Sequence, residues 1–187
     1  MLHRPMVAAF DIIGTVFSLE PLRPRLMELG LPSTALELWF ASGLRDAFAL
    51  AASEAFQPLK SVFESALDEV LQKHRIAATD EQKRMALSGM AELPPHADAK
   101  QAFEALKSGG IRIIGVSNGA AARTRALLDR AELLSFVEKV ISVDDVQVSK
   151  PRKQVYLHAA QSCGAEKEEL ALIATHAWDI QGARPPD

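Results

Sequence analysis

Four short apolar runs, at residues 6–10, 111–116, 137–143 and 170–174, stand out along the chain. None alternates strictly between apolar and polar positions, as expected of strands covered by helices on both faces. Between the later runs the apolar positions shift to a helical period, which predicts βαβ units and a parallel sheet. Asp98 and Gln101 have the spacing of a capping box, and Ala99, Phe103 and Leu106 share one face of the helix that follows. Gly109 and Gly110 supply a left-handed stop for it. A second helix is predicted over residues 120–130. A third is predicted to carry Pro151 in its first turn and to end at Cys163, before Gly164.

Residues 18–93 read differently. They offer no convincing strand and resolve into successive helices. Thr34 and Glu37 show capping-box spacing, and Leu36, Phe40, Leu44 and Phe48 recur at every fourth position. Pro94-Pro95 closes the segment like a stiff hinge. The expected organisation is an α/β core of residues 1–17 and 94–187, a Rossmann-like parallel sheet with helices on both faces. A helical cap, residues 18–93, is inserted after the first strand.

Composition narrows the classes. A chain of 187 residues that is 48% hydrophobic has ample material for a packed core. A net charge of −3 argues against a nucleic-acid partner, which selects a basic face. Cys163 is the single cysteine, so no intrachain disulfide forms, which fits a reducing compartment. The first apolar run is too short for a membrane span and lacks a small-residue cleavage site. A cytoplasmic location without membrane association is therefore expected.

Chemistry follows each strand. The first run leads into Asp11 with Gly14 and Thr15, the second into Ser117-Asn118-Gly119. The third leads into Asp144-Asp145 and then Lys150-Pro151, the fourth into Thr175, His176 and Asp179. In a parallel sheet these positions gather at the carboxyl ends of the strands, where open α/β folds bind ligands. A strand-end carboxylate such as Asp11 can attack an electrophile and form an ester. Gly14 permits a tight turn whose N–H groups would hold an anion. Ser117 and Asn118 can hydrogen-bond an anionic substrate, and Lys150 would keep Asp11 ionised. Asp179 would hold Lys150, orient water or grip a cation with Asp11.

Each residue alone has an ordinary structural reading. Strand-end aspartates cap turns, Ser-Asn-Gly forms turns, and a lysine before proline often starts a solvated helix. Asp144-Asp145 read as loop and capping residues. Trp39 and Tyr156, taken singly, read as packing residues, and Cys163 as a small core residue. The recurrence of polar residues after every strand carries the argument.

The residues also resemble a known family. Phe10-Asp11-Ile12-Ile13-Gly14-Thr15-Val16-Phe17, Val116-Ser117-Asn118-Gly119, Lys150-Pro151 and Ala177-Trp178-Asp179 with Gly182-Ala183 are similar to the four motifs of the haloacid dehalogenase-like superfamily. Ser142-Val143-Asp144 through Val146-Gln147-Val148, with Val155-Tyr156, resembles the L-2-haloacid dehalogenase branch. That resemblance implies that Asp11 displaces halide from a small 2-substituted carboxylic acid and that water cleaves the resulting ester. It implies catalytic roles for Asp11, Thr15, Ser117, Asn118, Lys150 and Asp179. It implies substrate contacts from Tyr156, Trp39, Phe40, Arg45, Thr175 and His176. No cofactor or metal is implied, and the partner is a small-molecule substrate.

The sequence departs from the pattern at several points. Phosphatases of the superfamily carry a second aspartate at the position of Ile13, where it protonates the leaving group; isoleucine transfers no proton. Dehalogenases usually have tyrosine there. Their cap arginine follows a Leu-Trp pair, but here Leu38-Trp39 is followed by Phe40, and Arg45 is the nearest substitute. Thr175 stands for a common serine. His176 stands for asparagine and reads either as a base for ester hydrolysis beside Asp179 or as a structural histidine. Relatives continue past the fourth motif through another strand and helix. Without that strand, the exposed neighbour would invite pairing into a homodimer. Two alternatives remain open: a magnesium-dependent phosphatase using Asp11, the Ile13 carbonyl and Asp179, and a binding protein that keeps the fold.

Overall fold

The computed structural model describes residues 5–184. In chain order the elements are β1 (Val7–Phe10), α1 (Leu22–Glu28), α2 (Ala35–Ala52), α3 (Leu59–Lys73) and α4 (Asp80–Ser88). There follow α5 (Ala99–Ser108), β2 (Arg112–Ser117), α6 (Ala121–Arg130), β3 (Val137–Ser142), α7 (Lys153–Ser162), β4 (Leu170–Ile173) and α8 (Ala177–Ala183). Contacts divide the chain into two compact units, Met1–Ser18 with Pro94–Asp187, and Leu19–Leu93.

The first unit is a parallel α/β sheet in the order β3-β2-β1-β4. Every residue of β1 is buried, which explains its unbroken Val-Ala-Ala-Phe run. Phe10 packs on Phe103 of α5 with ring centroids 4.7 Å apart. The strand order steps outward from β1 to β3 and then jumps to the other side of β1. With right-handed crossovers, such a reversal puts connecting helices on opposite faces and opens a crevice between β1 and β4. Asp11 and Thr175–His176 follow those two strands. Where the chain leaves and re-enters this unit, Phe17 bridges Pro95 in antiparallel fashion. The His96 N–H donates to the Val16 carbonyl at 2.9 Å.

The second unit is entirely helical, with α2 packed along α3. Its seam runs through Ala35, Trp39, Gly43, Ala47 and Ala51. The four-residue stripe expected from sequence lies on the flank instead: Leu36 is buried, but Phe40, Leu44 and Phe48 are half-buried. The two rows share the same spacing but are offset by one residue, about 100° of helical turn, so the row that starts at Leu36 lies beside the seam. Gly43 is required by close approach, because a Cβ there would lie 2.6 Å from the Phe63 ring.

Three local expectations are corrected. Thr34 and Asp98 precede α2 and α5 in helical conformation and make no side-chain cap bond. A cap oxygen reaches the N3 amide only from an extended backbone, so neither forms a box. Glu37 pairs instead with Arg23 at 2.5 Å. Capping boxes with both bonds form at Thr79–Gln82 and Ser142–Asp145. Pro151 lies outside α7, which begins at Lys153 after an extended Arg152. Among the described residues no helix is long and apolar enough to cross a membrane.

Candidate active site

Asp11 is the first residue after β1, and its N–H donates to the Ile173 carbonyl at 3.0 Å, pinning it against the end of β4. The chain then turns tightly: Val16 and Phe17 both donate to the Ile12 carbonyl, and Gly14 takes φ +88°. That left-handed φ favours glycine. A Cβ at Gly14 would also sit 2.7 Å from Cε1 of His176, so the missing side chain makes room for the imidazole.

Lys150 is fully buried, and its Nζ bridges Asp11 Oδ1 at 3.0 Å and Asp179 Oδ2 at 2.8 Å. Burying an ammonium is costly unless carboxylates and hydrogen bonds compensate it. Asn118 anchors the loop by accepting the Lys150 backbone N–H on Oδ1 at 2.9 Å. The Tyr156 hydroxyl donates to Asp179 Oδ1, so both oxygens of this fully buried carboxylate are engaged.

The other oxygen of Asp11 has separate partners. Thr15 Oγ1 donates to Oδ2 at 2.7 Å, and Nδ1 of His176 lies 3.2 Å from it. Thr15 in turn accepts the Thr175 N–H at 3.1 Å, while the Thr175 hydroxyl donates to the Gly14 carbonyl at 3.1 Å. Each hydroxyl has one proton, so this wiring commits the Thr15 proton to Asp11. Ser117 accepts the Gly119 N–H at 2.9 Å, which leaves its own O–H to donate.

Burial pushes the Asp11 carboxyl upward, but the Lys150 charge and hydrogen bonds from His176, Thr15 and Lys150 outweigh it, and the net shift is downward. Burial, then the Asp179 charge, raises the Tyr156 phenol well above its ordinary value. Tyr156 therefore stays protonated and donates. Tyr156→Phe should lower stability by about 1–3 kcal/mol by removing a donor from a buried carboxylate. The midpoint of urea unfolding reads this directly; an unchanged midpoint would mean the bond contributes nothing.

The geometry brings together Asp11, Thr15, Asn118, Lys150, Tyr156, Thr175, His176 and Asp179, with Ser117 ending the neighbouring strand. It revises some roles. Tyr156, expected to touch substrate, commits its hydroxyl to Asp179. The His176 ring faces Asp11 rather than Asp179. Trp39, expected at the substrate, is a core residue of the helical unit: it is 0% exposed and its indole N–H donates to the Phe63 carbonyl at 2.9 Å. Phe40 stacks on Phe63 within the same unit at 5.6 Å. Arg45 is ion-paired there with Asp46 and Glu69 at 2.8 and 2.5 Å. Hydrogen bonds from Arg45 and Lys73 pull the Glu69 carboxyl down to about 2. Sequence reading missed the stacking of His176 on Trp178, with centroids 5.2 Å apart. The spacing of two aromatic rings across a helix start was its only trace.

A magnesium ion does not fit this donor set. The lysine ammonium stands between the two carboxylates, and Asp179 has neither exposure nor an unengaged oxygen. Mg²⁺ binds octahedrally and keeps several waters, which this buried pair does not accommodate. Among the described residues no group of three or more His, Cys, Asp and Glu side chains forms a metal site.

The sequence model of one family, haloacid dehalogenase-like hydrolase, matches residues 5–185. The chain belongs to that family. It is 26% identical over 178 residues to an (S)-2-haloacid dehalogenase of Pseudomonas fluorescens, covering 94% of this chain and 78% of that protein. It is 28% identical over 180 residues to an (S)-2-haloacid dehalogenase of Pseudomonas sp. strain YL, covering 94% and 77%. In fold it is similar to the L-2-haloacid dehalogenase of Xanthobacter autotrophicus solved with chloropropionic acid covalently bound. That match has a TM-score of 0.86 at 23% identity, over 96% of this chain and 73% of the other. This haloacid dehalogenase-like hydrolase thus presents a carboxylate–lysine–carboxylate cluster at the carboxyl end of its sheet.

Proposed function

We propose that this hydrolase cleaves the carbon–halogen bond of a small 2-haloacid through an ester on Asp11, without a metal ion. The observation that carries the reading is the buried bridge from Lys150 to Asp11 and Asp179. It holds Asp11 as an anion largely buried from water, where a carboxylate stripped of its hydration shell is a stronger nucleophile than in water. Lys150 occupies Oδ1, so Oδ2 is the oxygen that attacks C2 of the substrate. The C2–halogen bond breaks with its electron pair leaving on the halide, and no proton moves in this step. Water then adds to Cγ of the ester, and Lys150 stabilises the negative charge that gathers on Oδ1. The Ser117 hydroxyl is the donor we assign to the substrate carboxylate, since the Gly14, Val16 and Phe17 N–H groups are committed within their own turn.

The names of the relatives favour the same chemistry. Ile13 favours it too, since a departing halide needs no protonation and a phosphate ester does. Purified protein should release halide from (S)-2-chloropropionate in the presence of EDTA, read by ion chromatography with the R enantiomer as control. Magnesium-dependent hydrolysis of p-nitrophenyl phosphate, with no halide released, would sink this reading.

A further inference from the structure

The ester step leaves one proton unassigned, and the groups around Asp11 can be sorted by whether they can carry it. Lys150 is fully buried between two carboxylates. Asp179 accepts from Lys150 and Tyr156 and has no surface open to water. Thr15 gives its single proton to Asp11. His176 differs from all three: Nδ1 is 3.2 Å from Oδ2, and the side chain keeps 20% of its surface exposed. Gly14 leaves room for the ring and Trp178 stacks against it. An imidazole held beside a reacting oxygen and still reached by water is suited to move a proton in both directions.

We propose that His176 is the proton shuttle of ester hydrolysis, taking a proton from the attacking water and returning it to Oδ2. This rests on the Asp11 ester described above. In the free enzyme Asp11 is an anion, and the ring donates from Nδ1 to Oδ2. Once Oδ2 bonds to the substrate its charge is gone, the ring proton passes from Nδ1 to Nε2 by exchange with water, and Nδ1 of the neutral ring presents its lone pair. Water adds its oxygen to Cγ and gives one proton to His176, and the charge goes to Oδ1 beside Lys150. Collapse breaks the Cγ–Oδ2 bond, and His176 protonates Oδ2 as it departs as the hydroxyl of the 2-hydroxyacid product. The aspartic acid left behind carries the water oxygen and releases its proton to solvent.

The test compares wild type with His176→Phe and His176→Ala on (S)-2-chloropropionate by rapid quench. His176→Phe keeps a ring beside Trp178 and removes both nitrogens; it should still release a burst of one equivalent of halide, then turn over roughly 100-fold more slowly or worse. Intact-protein mass should show the esterified adduct accumulating, mapped to the peptide that contains Asp11. Added imidazole should restore turnover in His176→Ala, which a merely structural histidine would not allow. Matching thermal midpoints confirm that the variants fold; should His176→Phe melt early, the imidazole response of His176→Ala decides. Wild-type turnover in His176→Phe, or slow turnover without adduct and without imidazole rescue, overturns the shuttle while leaving the nucleophile in place. A wild type that releases no halide overturns both.

Discussion

Replacing Asp11 with asparagine should lower steady-state halide release by roughly 10⁴-fold or more, because a neutral amide cannot open the displacement and no ester forms. The fold should survive, since Asn118 still anchors the lysine loop and Lys150 keeps Asp179 as a partner. Stability should nonetheless change with pH in a defined direction. The Asp11 carboxyl titrates below its ordinary value of 3.8 in the folded chain. The ionised group therefore contributes stability above that value, and the contribution is lost as pH falls through the lower folded-state value. Wild type should be the more stable protein at neutral pH, with the gap closing in acid. Urea midpoints across a pH series measure this gap, and halide release measures the chemistry. Turnover within about tenfold of wild type would assign the nucleophile elsewhere.

Lys150→Met should be the most destabilising single change in the cluster, at about 3–5 kcal/mol. It retains much of the side-chain length and removes the charge, leaving two buried carboxylates without their cation. Like charges at such separation do not both ionise, so one of the pair takes up a proton on folding. The variant should then lose stability as pH rises, because its folded state binds the extra proton, opposite to the wild-type trend. Its turnover should also collapse, since an attacking carboxylate that shares a proton is a weak nucleophile. Urea unfolding at acidic and neutral pH checks both sign and size. Equal midpoints for variant and wild type would show that the bridge contributes no stability.

The parallel sheet and the strand-end residues were legible in the sequence because both depend on local order. Each apolar run is a strand, and the polar residue after it falls at the carboxyl end whatever the packing. Partnership within the cluster was not legible. Nothing in the spacing of Tyr156 or His176 tells which carboxylate oxygen each will face; that depends on how α7 and the start of α8 pack. Thr34 and Asp98 matched a capping pattern whose outcome depends on one backbone dihedral. Trp39 carried a motif-like position beside Leu38 yet packs as core, because an indole with a backbone acceptor in reach is satisfied inside a helix pair. Gly14 was legible as a turn residue, but its second task, clearing space for an imidazole distant in sequence, was not.

The placement of β4 has a consequence for how activity fails. Thr175, His176 and Asp179 follow it directly, and Asp11 is tethered to its last carbonyl. The β1–β4 ladder thus registers the attacking carboxylate against the groups that serve it. Any local opening that parts these two strands separates the reacting groups at one stroke while the β1–β2–β3 ladders persist, so the molecule has a lower threshold for losing its chemistry than for losing its architecture.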